Sequence, residues 1–582
     1  MTSQMHSSAK GVSGALSGAG ASMAGTYRFK PHERPAIPGS PFNPEHPVAR
    51  MWAYGAIGVL AGLTGGLGNA LVSANISYFQ GTLGLTAQEA AWIPAAYATT
   101  YICANLVLVK FRQEFGLQLF LKLVLVGYIG ATLMHLLVHG FWSAMLVRAV
   151  SGLAAAGLST LGVLTWFQAM PAPKRIHGIM IGVSIPQLAT PLARVIAPSL
   201  LEWGDWRMAY MFELGLALLT LAAVLTLPLP PSERSKVFER ADFVTIALMV
   251  PGVGLLCSVL SLGRTVWWAE EPWLGWGLIG SLLLVVAAIV IEHRRAKPLL
   301  MTSFIGQWPI LRIAAVAFCV RIVLAEQTYG SVGLLSALGY GTEQFRTLYI
   351  IVTLASVAGL LAAIFGTRAQ SPARPIQIAC LLIAVGAFLD SGATSLTGPA
   401  NFYLSQALIG FAGLLFIGPA MVIGLSRALL QGPQNFISWL VVFLASQNLG
   451  GLVGSALFGT VQTMREKFHS HNLVENVVLT NPAAAGRLAG SAQQVGGVIA
   501  DPTLRTAEGA ALLSQRVTRE ANVLAYNDVF VIIAVLALLL VLWGIMIEIN
   551  MRRRGEVSPI VRFGQMAMAQ LAAAMKEGQS AS

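Results

Sequence analysis

Charge is what this sequence has least of. Of 582 residues, 11% are Asp, Glu, Lys or Arg, while 55% are hydrophobic. A soluble domain carries roughly 25% charged residues. So thin a set cannot cover a water-facing surface of this size, whereas a lipid-facing surface needs no such cover. Cysteine is scarce as well. The four residues Cys103, Cys257, Cys319 and Cys380 all fall inside apolar runs, which argues against a disulfide framework and for small buried hydrophobes. There is no Gly-x-x-x-x-Gly-Lys-Ser/Thr loop to cradle nucleotide phosphates and no G-x-S-x-G elbow. No His/Cys spacing suggests a metal site, since His469-Ser470-His471 is a weak pair in a loop. The chain is therefore not expected to be an enzyme: no catalytic residue, metal or cofactor is expected, and any energy source is an ion gradient, with protons favoured. Residues 1–50 lack a continuous apolar core, so they do not form a cleavable signal peptide.

What is present is a series of long apolar stretches. Crossing a hydrocarbon core of about 30 Å takes ~20 helical residues. Fourteen stretches qualify: 52–76, 90–109, 117–138, 141–168, 177–201, 206–228, 242–263, 273–292, 309–335, 346–367, 375–396, 400–428, 436–463 and 528–550. The fold class read from them is an all-α membrane protein. The net charge of +12 does not point to nucleic acid, because the basic residues sit in short segments between apolar runs rather than in one patch. Lys110 and Arg112, Lys174 and Arg175, Arg234, Lys236 and Arg240, Arg294, Arg295 and Lys297, Arg368 and Arg374, Arg427, and Arg552 to Arg554 all fall on alternate connections. The intervening loops lean acidic, with Glu89, Glu202, Asp205, Glu270, Glu271 and Glu343, and Arg264 as the main exception. The positive-inside rule then places both termini in the cytoplasm.

The spans group as six, two and six, divided by the basic segments 232–241 and 293–298. The expected organisation is a disordered cytoplasmic tail over 1–50 and a first six-helix half over 51–228. A linker with two inserted helices follows over 229–298. A second half over 299–550 includes a polar external loop at 464–527, and a cytoplasmic tail runs over 551–582. Two six-helix halves suggest the plan in which a central site lies between units that rock. The loop at 464–527 is long for a membrane protein; Pro482 and Pro502 divide it, and Thr503–Val523 has helix-compatible composition, so it reads as a small ordered hairpin.

Several stretches resemble the fourteen-helix drug:proton antiporters of the major facilitator superfamily, in particular the EmrB type. Gln447-Asn448-Leu449-Gly450-Gly451 through Gly459, then Arg465-Glu466-Lys467-Phe468-His469, is similar to that family's penultimate helix. Leu524-Ala525-Tyr526-Asn527-Asp528-Val529-Phe530 resembles the approach to its last helix, Arg148–Gly152 its fourth-helix motif, and Trp206–Phe212 the opening of its sixth. Other motifs have eroded. The helix 2–3 loop reads Val109 to Gly116, Gly68-Asn69-Ala70 stand where the family has an Asp, and Arg194 replaces a glycine of the antiporter motif. The resemblance implies a major facilitator fold in a bacterial inner membrane. It also implies a periplasmic adaptor, an outer-membrane channel beyond it, and 464–527 as the docking surface, with Arg465, Phe468, His469 and Tyr526 as candidate contacts.

A charge at mid-membrane costs at least ~2.5–3.5 kcal/mol, so each one calls for a reason. Arg148 and Glu213 lie at similar depth in the fourth and sixth spans, which allows either a proton-sensitive pair or a permanent structural one. Arg321 and Glu326 share the ninth span, and their five-residue offset turns them about 140° apart at 3.6 residues per turn. Glu326 opens the polar patch Glu326-Gln327-Thr328-Tyr329-Gly330 and is the first candidate for a proton or a cationic substrate; Arg194 is a weaker candidate and Arg312 reads as snorkelling. Gln327, Tyr329, Asn75 and Trp166 are cavity candidates, although aromatics in such spans more often face lipid. Gly58, Gly62 and Gly66 form a stripe that close helix packing explains. The expected function is proton-coupled export of small amphipathic substrates, with a facilitator, an importer or a non-transporting sensor as alternatives.

Overall fold

The computed structural model describes residue 33 and residues 39–171, 174–203, 206–475, 477–478, 480–566 and 568–569. Among these residues no sheet forms; the one bridge pairs Pro41 with Ser232. The long helices are α1 (Val48–Ala74), α2 (Ala87–Phe115), α3 (Leu117–His135), α4 (Phe141–Ala169), α5 (Arg175–Trp203), α6 (Arg207–Thr226) and α7 (Arg240–Leu262). After them come α8 (Pro272–His293), α9 (Trp308–Ala337), α10 (Arg346–Gly366), α11 (Arg374–Asp390), α12 (Tyr403–Leu430), α13 (Asn435–Glu475) and α14 (Pro502–Arg553). Thirteen of them are long and apolar enough to cross a membrane. The fourteenth, α11, has 17 residues and packs between α12 and α14.

The surface follows from the composition. On α8, Trp276, Leu282 and Leu283 are 72%, 64% and 64% exposed, an arrangement stable only where the surroundings are lipid tails. Within the first half, α1 packs on α4, α5 and α6, and α3 on α4 and α6. Within the second, α9 packs on α13, α10 on α12, and α11 on α12 and α14. The halves meet where α5 touches α10 and α12 and where α2 touches α13. Helix α7 lies across this last seam, its Val253 and Cys257 clustered with Ala98, Ile102 and Cys103 of α2 and with Ala445 and Leu449 of α13.

One part differs from expectation, and two go beyond it. Of the tail read as disordered over 1–50, residues 1–32 and 34–38 lie outside the described residues, but 39–47 are packed. Phe42 N–H donates to Pro231 O at 2.9 Å, and Gln168 Nε2 reaches Phe42 O and Asn43 Oδ1 at 3.0 and 2.9 Å. The reason is the open end of α4, whose Gln168 finds its partners in that segment. Second, the basic segments between spans are not all loosely solvated. Lys110 Nζ lies 2.9 Å from Asp242 Oδ1, and Arg295 bridges Asp242, Glu292 and Glu239 at 2.6, 2.6 and 3.1 Å. This buried network fastens α2 to α7 and α8. Third, much of the segment 464–527 is helical: α13 runs on to Glu475, a short helix spans Pro482–Gln494, and α14 begins at Pro502.

Candidate functional site: a central cavity and two buried polar clusters

A cavity of about 260 Å³ lies between the halves, walled by α1, α2, α4 and α5 on one side and by α9 and α13 on the other. It adjoins a second space of about 50 Å³ between α5 and the second half; Gln187, Thr190, Arg321, Thr328 and Gln447 line both. Asn69, Tyr97, Tyr101 and Asn448 add neutral polar groups. Among the described residues Arg321 is the one charged side chain on these walls. Its position depends on the Gly450-Gly451 pair of α13. A Cβ at Gly450 would stand 2.9 Å from both Arg321 Cβ and Phe318 O, so glycine there lets α9 and α13 close. Arg321 Nε then donates to Gln447 O at 3.3 Å, and among the described residues no carboxylate pairs with it.

Five residues along α9 the backbone widens into a π turn over Glu326–Gly330, where Ser331 N–H donates to Glu326 O. Such turns are frequent at functional sites, where they re-aim side chains without breaking the helix. Here the turn sends Gln327 and Thr328 to the cavity wall and Glu326 away from it, fully buried. Gln406 of α12 holds both Glu326 oxygens, at 2.9 and 3.0 Å, and with the same amide nitrogen Asp390 Oδ2 of α11, at 2.8 Å. Two carboxylates thus share one amide donor, and among the described residues neither is paired with a cation. The reading of Glu326 as a cationic-substrate contact on the cavity wall is therefore corrected. Asp390 and Gln406 were not singled out by the sequence reading. A signal for Asp390 exists, an acidic residue inside the apolar run 375–396; none existed for Gln406, whose role depends on helix rotation.

The first half holds a second cluster, around Gly68. Arg148 Nη1 donates to Gly68 O at 3.1 Å and Nη2 to Asn69 Oδ1 at 2.7 Å, with the guanidinium 4.6 Å above the Tyr97 ring. Tyr128 Oη donates to Thr64 O at 2.9 Å, and Thr132 Oγ1 lies 3.5 Å from Glu213 Oε1. A Cβ on Gly68 would collide with the Tyr128 hydroxyl and the Glu213 carboxylate. Arg148 and Glu213 therefore converge on one backbone point, but no ion pair joins them, because Gly68 O and Asn69 take the guanidinium instead. His135 completes the cluster, stacked on Tyr210 at 4.2 Å with its Nε2 buried and unpartnered.

The remaining candidates scatter. Arg194 sits 5.2 Å over the Tyr349 ring between α5 and α10. Gln327 lines the smaller space, but Tyr329, Asn75 and Trp166 do not line the central cavity. Tyr329 packs on Arg264 and Tyr526, Asn75 is buried at the end of α1 bonded to Leu71 O, and Trp166 fills the groove over Gly58. At the far end of α13, Arg465 and His469 clasp Asp528 of α14 at 2.6 and 2.7 Å. Tyr526 is buried beneath Gly333, because α14 turns that face onto α9. Of the four proposed docking contacts Phe468 is the most open, at 49% exposure.

A bundle of membrane-crossing helices in two halves around a polar central cavity defines a transporter rather than an enzyme. The sequence pattern of the Major Facilitator Superfamily matches residues 58–455, and the chain belongs to that superfamily. It is similar to the puromycin resistance protein pur8 of Streptomyces alboniger, at 25% identity over 74% of this chain and 85% of that protein. It is also similar to a triacylglyceride transporter of Mycobacteroides abscessus, at 24% identity over 70% and 82%. The fatty acid resistance protein FarB of Neisseria gonorrhoeae is 22% identical over 39% of this chain and 44% of that protein. Among solved structures, PepTSo2 superposes with a TM-score of 0.51 at 14% identity, covering 86% of this chain and 99% of that one. The human organic anion transporter MFSD10 gives 0.50 at 14%, covering 85% and 100%. These likenesses show the fold.

Proposed function

We propose that the chain is a proton-coupled exporter of small amphipathic molecules that carry an acidic group, with Glu326 and Asp390 holding the transported proton. The observation that carries this reading is the shared Gln406 amide. Two carboxylates gathered by one nitrogen at 2.8–3.0 Å repel by ~4 kcal/mol if both ionise at about 4 Å and an effective dielectric of about 20. One proton removes that repulsion. Releasing it drives Glu326 and Asp390 apart, loosens the link between α9, α11 and α12, and is felt along α9 at Arg321, which lines the cavity. A site whose geometry differs between its protonated and ionised forms biases a two-state transporter. Arg321, the cavity's one charge among the described residues, supports an anionic rather than a cationic substrate, and relatives named for puromycin and fatty acid resistance fit efflux of toxic amphiphiles.

The finer reading is an EmrB-type pump subunit of a bacterial inner membrane, with the helical segment beyond Met464 meeting a periplasmic adaptor that leads to an outer-membrane channel. A facilitator is the second reading, favoured by Arg194, which stands in place of an antiporter-motif glycine and is occupied with Tyr349.

The test uses proteoliposomes under an imposed pH gradient, with decanoate and the amphipathic cation ethidium as probes. Decanoate movement coupled to proton flux is expected, and Glu326→Gln and Asp390→Asn should each lower the coupled rate at least about tenfold, equivalent to 1.4 kcal/mol. Full retention of coupling in both variants would remove the carboxylate pair from the mechanism, and gradient-independent flux in the wild type would establish the facilitator.

A further inference from the structure

The second half contains a cavity separate from the central one. It has a volume of about 170 Å³ and opens at the end of the bundle that bears the basic segments, between the start of α9, the start of α11, the end of α12, the end of α14 and the tail after it. Its walls are apolar, formed by Ile313, Val316, Ile376, Cys380, Ile423 and Leu540. Around it stand three guanidinium groups, Arg312, Arg427 and Arg552. Arg552 is committed to Glu548, which also accepts from Gln377 Nε2 at 3.1 Å. Arg312 and Arg427 are half-buried and, among the described residues, form no ion pair. Arg427 faces like charges at Arg312 and Arg562, and Arg312 faces one at Arg554; the carboxylate whose field reaches both, Glu556, lines the cavity from the exposed tail. A further polar group lacks a partner: Ser558 Oγ, on the cavity wall, is buried without a hydrogen bond.

We infer that this cavity is a binding site for the phosphate headgroup of an anionic membrane lipid, with an acyl chain along its apolar wall. Two unpaired arginines and an unsatisfied hydroxyl at the mouth ask for a multivalent oxygen acceptor, which phosphate supplies in the forked geometry that guanidinium prefers. The wall behind them asks for hydrocarbon. The neighbouring outer faces of α11 and α14 carry Ile378, Leu381, Leu538, Leu542 and Ile545, all exposed, so the site lies beside lipid rather than water. Basic residues at a membrane surface attract anionic lipid by about 1 kcal/mol each, which is about a fivefold change in affinity per arginine. The site shares no lining residue with the central cavity, so it does not depend on the transport reading.

The test is thermal unfolding of the full chain in neutral detergent with added phosphatidylglycerol, phosphatidylcholine or glycerol 1-phosphate, and native mass spectrometry to count bound lipid. Phosphatidylglycerol is expected to raise the unfolding temperature and remain bound, with phosphatidylcholine and glycerol 1-phosphate having little effect. Arg312→Gln with Arg427→Gln should weaken phosphatidylglycerol binding about 30-fold, and Arg312→Lys with Arg427→Lys should keep most of it. Should the glutamine variant fail to fold, Ser371→Trp in the loop at the cavity edge is the second block and should lower the bound-lipid count with both arginines intact. Equal effects of the two lipids would overturn the site, as would an undiminished preference for phosphatidylglycerol in the blocked variants. A full effect from glycerol 1-phosphate alone would overturn the lipid assignment in favour of free phosphate.

Discussion

At the scale of single residues, the contrast between Arg321 and Glu326 explains most of the candidate site. The two share a helix, yet one faces the central cavity and the other is sealed between α11 and α12. Arg321 is held by one weak bond to Gln447 O, which leaves most of its five donors free for a ligand. Arg321→Gln is expected to lower decanoate binding by about 30-fold, a loss within the range for a hydrogen bond to a charged group, while leaving ethidium binding unchanged. Isothermal titration with both probes decides this, and an equal loss for both would mean that Arg321 shapes the cavity without reading charge. Gly68 plays the complementary part in the first half, since a side chain there would displace Glu213 and Tyr128 together.

Among the elements, the π turn in α9 is the device that separates the cavity-lining Gln327 and Thr328 from the buried Glu326, and nothing in the order of residues announces it. The packed segment 39–47 is a second case. His46 Nε2 lies 2.9 Å from Gln168 Oε1, and burial, with Arg50 and Arg175 nearby, holds its pKa below the ordinary histidine value of about 6.5. The detached segment therefore binds a proton more readily than the docked one. Docking is unaffected well above pH 6.5 and weakens as pH falls below it. Hydrogen exchange over 39–47, corrected for its intrinsic rate, should be faster at pH 5.5 than at pH 7.5, and His46→Gln should abolish the difference. An unchanged ratio in that variant would assign the pH effect to other groups.

For the whole molecule, α7 and α8 are more than ballast, because α7 closes the seam between α2 and α13 and both are fixed by the buried network of Lys110, Asp242, Glu292 and Arg295. The connection between α7 and α8 joins in: Trp268 Nε1 donates to Thr460 Oγ1 at 2.7 Å, and Arg264 lies over Tyr329. Asp242→Ala would leave Lys110 and Arg295 without their shared partner. A loss of ~3 kcal/mol is expected, the lower end of the range for breaking a buried pair, read as a fall in unfolding temperature in detergent. Asp242 is fully buried, so an unchanged unfolding temperature would show that the network does not tie the insert to the bundle.

The sequence by itself determined the membrane class and the order of the long helices, because hydrocarbon thickness and the cost of buried charge act on every residue locally. It marked Arg321 and Glu326 as charges needing a reason, and by the same rule Asp390 was legible within its apolar run. Tertiary structure alone decided the rest: that Gln406 gathers Glu326 with Asp390, that Arg148 takes Gly68 O and Asn69 rather than Glu213, and that Tyr526 turns inward. Those outcomes depend on how each helix is rotated and crossed against its neighbours. In a helix apolar on nearly every side, hydrophobic periodicity carries almost no information about rotation, so packing at contacts such as Gly68 and Gly450 sets it.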